Sequence, residues 1–309
     1  MVTVDFVKGH MGGDEVILLD GTQIPERYRA GLIRSVLMTP SIRGREVGLL
    51  HPPRKKGDIR VKIHELSSKG AIPMCGGLTQ VLGKALVETN LAKRFAIRLR
   101  RRQALVKLET DSGLIPIHIS IRGRRAVSVS TEMDSYVEQC YRWGTEDSNI
   151  GGVPVERVGQ FYFMDLSDLE KKYPGVDFTQ NNRECLKVID EMRRVSDLEK
   201  MYGVVKRAGK PGHLDAAFRF VPPDPLALEG EEFACGTGST TAAIYEQLHN
   251  RLPVDARGHG HLSLKLFSTG MLPVDQRTEV DLEVRNGRVA KASFSHNYVR
   301  LIAQGKLHI

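Results

Sequence analysis

Two short stretches of the sequence share one pattern, a Cys-Gly pair directly before a helical repeat. The first is Ile72-Pro73-Met74-Cys75-Gly76-Gly77-Leu78-Thr79, and the second is Glu232-Phe233-Ala234-Cys235-Gly236-Thr237-Gly238-Ser239-Thr240. Apolar residues at helical spacing follow the first stretch, and a looser apolar stripe follows the second. We therefore expect both cysteines at the N-termini of helices.

A helix N-terminus presents unpaired backbone N–H groups and the positive end of the helix dipole. This environment lowers the pKa of a thiol and makes thiolate available near neutral pH. The same N–H groups can hold a carboxylate. Our hypothesis is that the two sites face each other and hold one small acid between two sulfurs.

The elements around the two cysteines follow the same order, with strands, a Cys-Gly pair, a helix and further strands. This order predicts an internal duplication and an α+β fold of two pseudo-symmetric halves. In each half we expect a β-sheet wrapped on a central helix. Asn286-Gly287 is a strong signal for a two-residue hairpin turn near the end of the second half.

Three local expectations bear on the site and on the boundary between the halves. The glycine-rich stretch Lys8–Asp14 predicts a flexible loop, in which His10 and Asp14 serve ordinary turn chemistry or face a ligand; the residues alone favour the turn. A strand is expected at Phe95–Leu99. The polar stretch Met133–Gly152 reads as an irregular crossover between the halves.

The composition is that of a globular protein with 309 residues and four cysteines. The N-terminus lacks the basic flank and apolar core of a signal peptide, and no apolar run is long enough to span a bilayer. The cysteines form no Cys-x-x-Cys pair, so reduced thiols and a cytoplasmic location are the expectation. Cys140 and Cys185 lack a glycine-rich helix start and are interpreted as structural residues.

The formal charge is +8, with basic clusters at Arg54–Lys56, at Arg98–Arg102 and at Arg122–Arg125. Solvated strand faces and turns are the favoured interpretation. Aromatic residues are scarce and no nucleic-acid-binding module is apparent, so we expect no nucleic-acid partner and no membrane partner. A positive surface can still concentrate anionic substrates.

At its Cys-Gly motifs the chain resembles the cofactor-independent amino-acid racemases and epimerases, the proline racemase and diaminopimelate epimerase superfamily. Met74-Cys75-Gly76 is similar to the motif of the family's first catalytic cysteine, and Ala234–Gly238 to that of the second. Glu231 stands where the epimerases carry a glutamate. His10–Asp14 is similar to the His-Thr-x-Gly-Glu loop of the proline racemases.

The resemblance implies a diaminopimelate epimerase-like fold in which each half is a curved, barrel-like sheet around one helix, with the active site in a cleft between the halves. Residues 1–133 with 298–309 would form the N-terminal half, and residues 134–297 the C-terminal half. Cys75 and Cys235 would be catalytic, because inverting an α-carbon needs one base and one acid on opposite faces. The substrate-binding residues would be Gly76, Gly77, Gly236, Thr237, Gly238, His10, Asp14 and Glu231.

The expected activity is therefore an isomerase that inverts the α-carbon of an amino or imino acid, proline-like or hydroxyproline-like, without pyridoxal phosphate, any other cofactor or a metal. A homodimer is compatible with this interpretation. The family's polar residue after the first Cys-Gly is replaced by Gly77-Leu78, which leaves the substrate open. The alternatives are a cis–trans isomerase or a hydroxyproline dehydratase with a single base, and a non-catalytic small-acid-binding or redox-sensing protein.

Overall fold

A computed structural model of the chain describes residues 3–39, 42, 44–65, 71–72, 74–179, 183–196, 201–207, 209–220, 231–232, 234–267 and 275–308. The chain divides into two compact units. Unit 1 comprises Met1–Glu132 and Ser295–Ile309, and unit 2 comprises Met133–Phe294. The C-terminal segment therefore belongs to the same unit as the N-terminus.

The elements of unit 1, in chain order, are β1 Thr3–Met11, β2 Asp14–Asp20, α1 Glu26–Met38, β3 Glu46–His51, β4 Ile59–Glu65, β5 Ala71–Ile72, α2 Gly76–Glu88, α3 Leu91–Arg94, β6 Gln103–Thr110, β7 Gly113–Arg122, β8 Arg125–Glu132 and β18 Val299–His308. A short 3-10 turn at Gly21–Gln23 joins β2 to α1.

Unit 1 is one mixed sheet wrapped around α2. Its strands pair in the order β18, β1, β2, β3, β4, β6, β7 and β8; β2–β3 and β4–β6 are parallel and the other pairs are antiparallel. Helix α2 contacts β18, β1 and β2 near one end of this order and β7 and β8 at the other. A sheet that touches one helix with both ends must curve around it, as the sequence predicts.

The elements of unit 2, in chain order, are α4 Asp134–Trp143, β9 Thr145–Ile150, β10 Val153–Val158, β11 Phe161–Asp165, α5 Leu166–Lys172, α6 Arg183–Ser196, β12 Met201–Arg207, β13 His213–Phe220, β14 Glu231–Glu232, α7 Gly236–Leu248, β15 His259–Leu266, β16 Arg277–Arg285 and β17 Arg288–His296.

Unit 2 repeats the strand pairing of unit 1. The run β10, β11, β12, β13, β15 and β16 alternates antiparallel and parallel pairs in the same sequence as the run from β1 to β7, and the two-residue strand β14 pairs with β13 as β5 pairs with β4. Helix α7 contacts β10, β11 and β16. The predicted duplication is thus visible in the hydrogen bonding, and Asn286 and Gly287 take the positive φ values, 52° and 75°, that a type I′ turn needs.

Helices α2 and α7 are the centres of their units. Ten of the 13 residues of α2 and 11 of the 13 of α7 are buried. A helix buried on most sides needs mainly apolar or small residues, which explains why glycine, alanine, threonine and aliphatic residues make up most of both helices. Among the described residues, no helix is both long enough and apolar enough to cross a membrane.

Three local expectations were wrong. Phe95–Leu99 is not a strand, because α3 precedes it and Ala96 takes a positive φ of 55°. Met133–Gly152 is not irregular, since α4 buries Tyr136, Val137 and Cys140 on one face and β9 follows. Lys8–Asp14 is a tight hairpin between β1 and β2 with only Gly12 and Gly13 in the turn.

Candidate active site

Cys75 caps the N-terminus of α2, as the sequence predicts. Its backbone is extended, with φ −140° and ψ 122°, and the Leu78 N–H donates to its Sγ at 3.2 Å. The side chain is buried, with 7% of its surface exposed. The thiol therefore occupies the position where a helix end stabilises negative charge on sulfur.

Two buried carboxylates lie beside Cys75. Asp14, the first residue of β2, and Glu46, the first residue of β3, each bring an oxygen within a cluster that includes Cys75 Sγ, and these three atoms lie within 4.8 Å of one another. Because β2 and β3 pair in parallel, their first residues lie at the same edge of the sheet, which brings Asp14 and Glu46 near each other. Side chains of this kind could hold a metal ion, and they suit an ammonium group equally well.

Asp14 is the most unusual of these groups, with only 1% of its surface exposed. Within the described part of the chain, neither carboxylate oxygen has a hydrogen-bond partner. Asp14 forms an ion pair with Arg45, whose Nε lies 3.7 Å from Oδ1. Burial raises the pKa of Asp14 to about 6; Arg45 opposes the shift, and the charges of Glu65 and Glu15 add to it.

Gly77 is required by the position of Asp14. A Cβ atom at residue 77 would lie 2.8 Å from Asp14 Oδ2 and 3.8 Å from Cys75 Sγ. The carboxylate therefore occupies the space next to the thiol that a side chain at residue 77 would enter. The family's polar residue after the first Cys-Gly is absent from this chain, and the acid Asp14 from β2 lies next to that position instead.

His10 lies in β1 and supports the hairpin that carries Asp14. The Gly13 N–H donates to His10 Nδ1 at 3.0 Å, so the neutral ring carries its proton on Nε2, and the ring lies 5.4 Å from that of Tyr298. Burial lowers the pKa of His10; Glu15 opposes this shift, while Arg300 and Lys8 reinforce it. No hydrogen bond or ion pair between described residues joins His10 to Cys75.

Cys235 caps α7 in the same way as Cys75 caps α2. Its backbone is extended, with φ −121° and ψ 109°, the Gly238 N–H donates to its Sγ at 3.2 Å, and Thr237 Oγ1 lies 3.3 Å from the sulfur. Only 3% of its surface is exposed. Because Gly238 gives its N–H to the sulfur, Gly236 and Thr237 remain as the first-turn amides for a ligand.

Aromatic rings fix the glycines of this second motif. A Cβ at Gly236 would lie 2.5 Å from the Phe294 ring, and one at Gly238 would lie 2.8 Å from the Phe218 ring. Neither position has room for a side chain, so packing against the rings already requires glycine at both positions, independently of any ligand contact.

The sequence patterns did not predict a buried hydrogen-bond network near Cys235. Tyr136 of α4 shares a 2.9 Å hydrogen bond with Thr241 of α7, and Gln160 donates to the Tyr136 hydroxyl at 3.4 Å. Burial raises the pKa of Tyr136 well above its usual value, and the charges of Cys140 and Cys235 contribute. The buried face of α4 is the sequence signal that could have predicted this network, but the polar composition of residues 133–152 concealed it.

Two residues singled out in the sequence remain, Cys140 as a structural residue and Glu231 as a substrate-binding one. Burial raises the pKa of Cys140 to about 11, so its thiol stays protonated, as a structural residue would. Glu231 lies in β14, where its backbone pairs with Arg219. The Glu231 side chain lies outside the described part of the structure.

No protein-family model matches the sequence, and a search of curated proteins gives no significant match. Solved structures do match. A hydroxyproline epimerase from Agrobacterium vitis with bound trans-4-hydroxy-L-proline has a TM-score of 0.66 at 13% identity, over 99% of this chain and 91% of that one. A probable proline racemase from Agrobacterium radiobacter K84 with bound carbonate has a TM-score of 0.65 at 13% identity, over 99% and 93%.

A PhzF-family phenazine biosynthesis protein from Bacillus anthracis has a TM-score of 0.64 at 13% identity, over 100% of both chains. Identities this low establish the fold alone. They agree with the repeated sheet around a central helix in each unit. The chain therefore has the fold of a hydroxyproline epimerase and a probable proline racemase, as the resemblance at its Cys-Gly motifs implies, and it shares this fold with a PhzF-family protein.

Proposed function

We propose that this protein is a cofactor-independent racemase or epimerase that inverts the α-carbon of an amino or imino acid. The observation that carries the proposal is the repeated cap, a buried cysteine whose sulfur accepts a backbone N–H at the start of the central helix of each unit. The fold supports it, because a hydroxyproline epimerase and a probable proline racemase share that fold.

Inversion requires removal of the α-proton from one face and delivery of a proton to the other. One thiolate and one thiol can do this, and they exchange roles when the opposite enantiomer is the substrate. Cys75 and Cys235 are the proposed pair. A thiol is suited to the task because its pKa lies nearer neutrality than that of most side-chain bases and a helix end stabilises its anion.

The substrate's primary or secondary ammonium group would bind Asp14 in this proposal. That carboxylate is buried beside Cys75 and has no hydrogen-bond partner among the described residues. The nitrogen of an amino acid is bonded to the carbon that loses the proton, so a cation held there lies next to the reacting atom. Glu46 adds negative charge to the same recess.

Backbone amides would bind the substrate carboxylate, on which negative charge develops as the α-proton leaves. Gly76 and Gly77 in α2 and Gly236 and Thr237 in α7 supply first-turn N–H groups. One well-placed donor of this kind is typically worth about 3–4 kcal/mol in the transition state. His10 would act on the hairpin that carries Asp14, and Glu231 is retained as a proposed contact.

The test is a screen of amino and imino acids for α-proton exchange in deuterated water by NMR. Wild-type protein is expected to exchange the α-proton of at least one proline-like or hydroxyproline-like acid. Cys75→Ala and Cys235→Ala should each lower the rate by about 10²–10⁴-fold, the usual contribution of a general acid or base. Cys185→Ala is the matched thiol control, because Cys185 lies in the α6 core of unit 2.

The outcomes separate the alternatives. Loss of activity in only one cysteine variant would indicate a single-base isomerase or dehydratase. Exchange at the wild-type rate in either variant would refute the two-thiol mechanism. No exchange with any acid, together with ligand-dependent stabilisation, would favour a small-acid-binding protein.

A further inference from the structure

A concave site in unit 1 is lined by arginines that the proposed reaction does not use. It is a surface cavity of about 710 Å³, a volume in the range of sites that hold small organic ligands. Five arginines are among the residues that line it, Arg100, Arg101, Arg102, Arg122 and Arg124. We call it the arginine cavity.

The backbone around the arginine cavity is held by the sheet. Residues 99–102 lead into β6, and residues 121–124 form the end of β7 and its turn into β8. The Ile121 N–H donates to the Arg102 carbonyl at 2.8 Å, and Gly123 takes the positive φ of 64° that the tight turn requires. Two arginine-bearing segments are therefore fixed side by side.

No ion pair within the described residues neutralises these five arginines. Some arginines elsewhere in the described chain do form ion pairs, as Arg45 does with Asp14 and Arg157 with Glu146. The acid next to Val87 in α2, Glu88, pairs with Lys84 and accepts the Ala126 N–H. Opposite charge for the cavity must therefore come from a bound ligand or from salt.

The wall of the cavity also has an aliphatic part. Val87 from the last turn of α2, Leu99 and Ile121 are the aliphatic residues of the lining, and Gly123 completes it. Guanidinium groups bind phosphate oxygens in a bidentate manner, and an aliphatic wall suits the apolar part of the same ligand. A simple inorganic ion would use the arginines alone.

We infer that the arginine cavity binds a small organic anion that carries two or more phosphate groups, with its phosphates on the arginines and its apolar part against Val87, Leu99 and Ile121. The cavity and the Cys75 cluster share only α2, since Cys75 caps its N-terminus and Val87 lies in its last turn. This assignment revises the interpretation of these clusters as simple solvated faces, and it does not depend on the proposed reaction.

The experiment is calorimetric titration of the full chain with ADP, with inorganic pyrophosphate and with a 20-nucleotide single-stranded DNA in 0.15 M salt. ADP is expected to bind at one site per chain. The double variant Arg101→Ala/Arg124→Ala should weaken ADP binding by more than tenfold. The matched control is Arg98→Ala/Arg125→Ala, which removes the same charge from exposed neighbours outside the cavity lining and should change binding by less than twofold.

Four outcomes would overturn the inference. The first is no ADP binding by wild type at about 1 mM, and the second is equal loss in the control and cavity variants, which would show a non-specific charge effect. Pyrophosphate binding as tight as that of ADP would overturn the assignment of an organic ligand. DNA binding tighter than that of ADP would show a nucleic-acid surface instead of a small-molecule site.

Discussion

The buried carboxylate of Asp14 allows a quantitative prediction from a single substitution, Asp14→Asn. The pKa of this group rises from 3.8 to about 6 on folding, mainly because burial disfavours its charge. A folded-state pKa above the unfolded value means that the group's contribution to stability is fully present below pH 3.8. That contribution is lost as pH rises through about 6.

A shift of this size corresponds to about 3 kcal/mol, since one pKa unit is worth about 1.4 kcal/mol. Asparagine has nearly the same shape and no charge. The variant should therefore exceed wild type in free energy of unfolding by up to about 3 kcal/mol at pH 8, and by much less at pH 4. Activity should move in the opposite direction, with kcat/KM falling about 10–100-fold when a charge-assisted hydrogen bond to the substrate nitrogen is lost.

The assay is urea unfolding followed by circular dichroism between pH 4 and pH 8. The single tryptophan, Trp143, lies in unit 2, so its fluorescence does not report directly on the unit that contains Asp14. Asp111→Asn is the matched control, because Asp111 is exposed in the β6–β7 turn, and it should change stability by less than about 0.5 kcal/mol at either pH. A stability difference between Asp14→Asn and wild type that is absent at pH 8, or independent of pH, would refute the reasoning.

Two further predictions follow from the geometry of unit 1. Gly77→Ala should lower the free energy of unfolding by about 1–3 kcal/mol, because its Cβ would lie 2.8 Å from Asp14 Oδ2. In a double-mutant cycle measured by urea unfolding, Asp14→Ala should remove much of that loss, and an equal loss in both backgrounds would contradict the prediction. Burial, with a smaller contribution from His10, lowers the pKa of His296 from 6.5 to about 4, so its contribution to stability is present above pH 6.5 and lost as pH falls towards 4. Relative to His296→Gln, wild type should lose up to about 3 kcal/mol in free energy of unfolding over this range, measured by urea unfolding at each pH.

The fold and the helix caps could be predicted from the sequence because their signals are local. A Cys-Gly pair followed by an apolar stripe marks the start of a buried helix, and its repetition marks the duplication. The Lys8–Asp14 stretch misled because its glycines predict a loop, whereas only two of them form the turn of a hairpin.

The acidic cluster could not be predicted because it depends on contacts that are distant in the sequence. Asp14 and Glu46 meet Cys75 through the parallel pairing of β2 with β3 and the packing of both on α2. Glu46 looks like an ordinary polar residue at the start of an apolar strand. In unit 2, Tyr136 reaches Thr241 across more than a hundred residues.

The two-thiol mechanism itself can be tested most directly with the substrate that the exchange screen identifies. A single enantiomer is incubated in deuterated water, and during the first few per cent of conversion deuterium is measured separately in the recovered substrate and in the product of opposite configuration. Two thiols on opposite faces predict a product that carries one α-deuteron while the recovered substrate keeps its proton, because the acid that completes inversion drew its proton from solvent. A product that retains the substrate's own α-proton, or deuterium that enters the recovered substrate as fast as it enters the product, would contradict the mechanism.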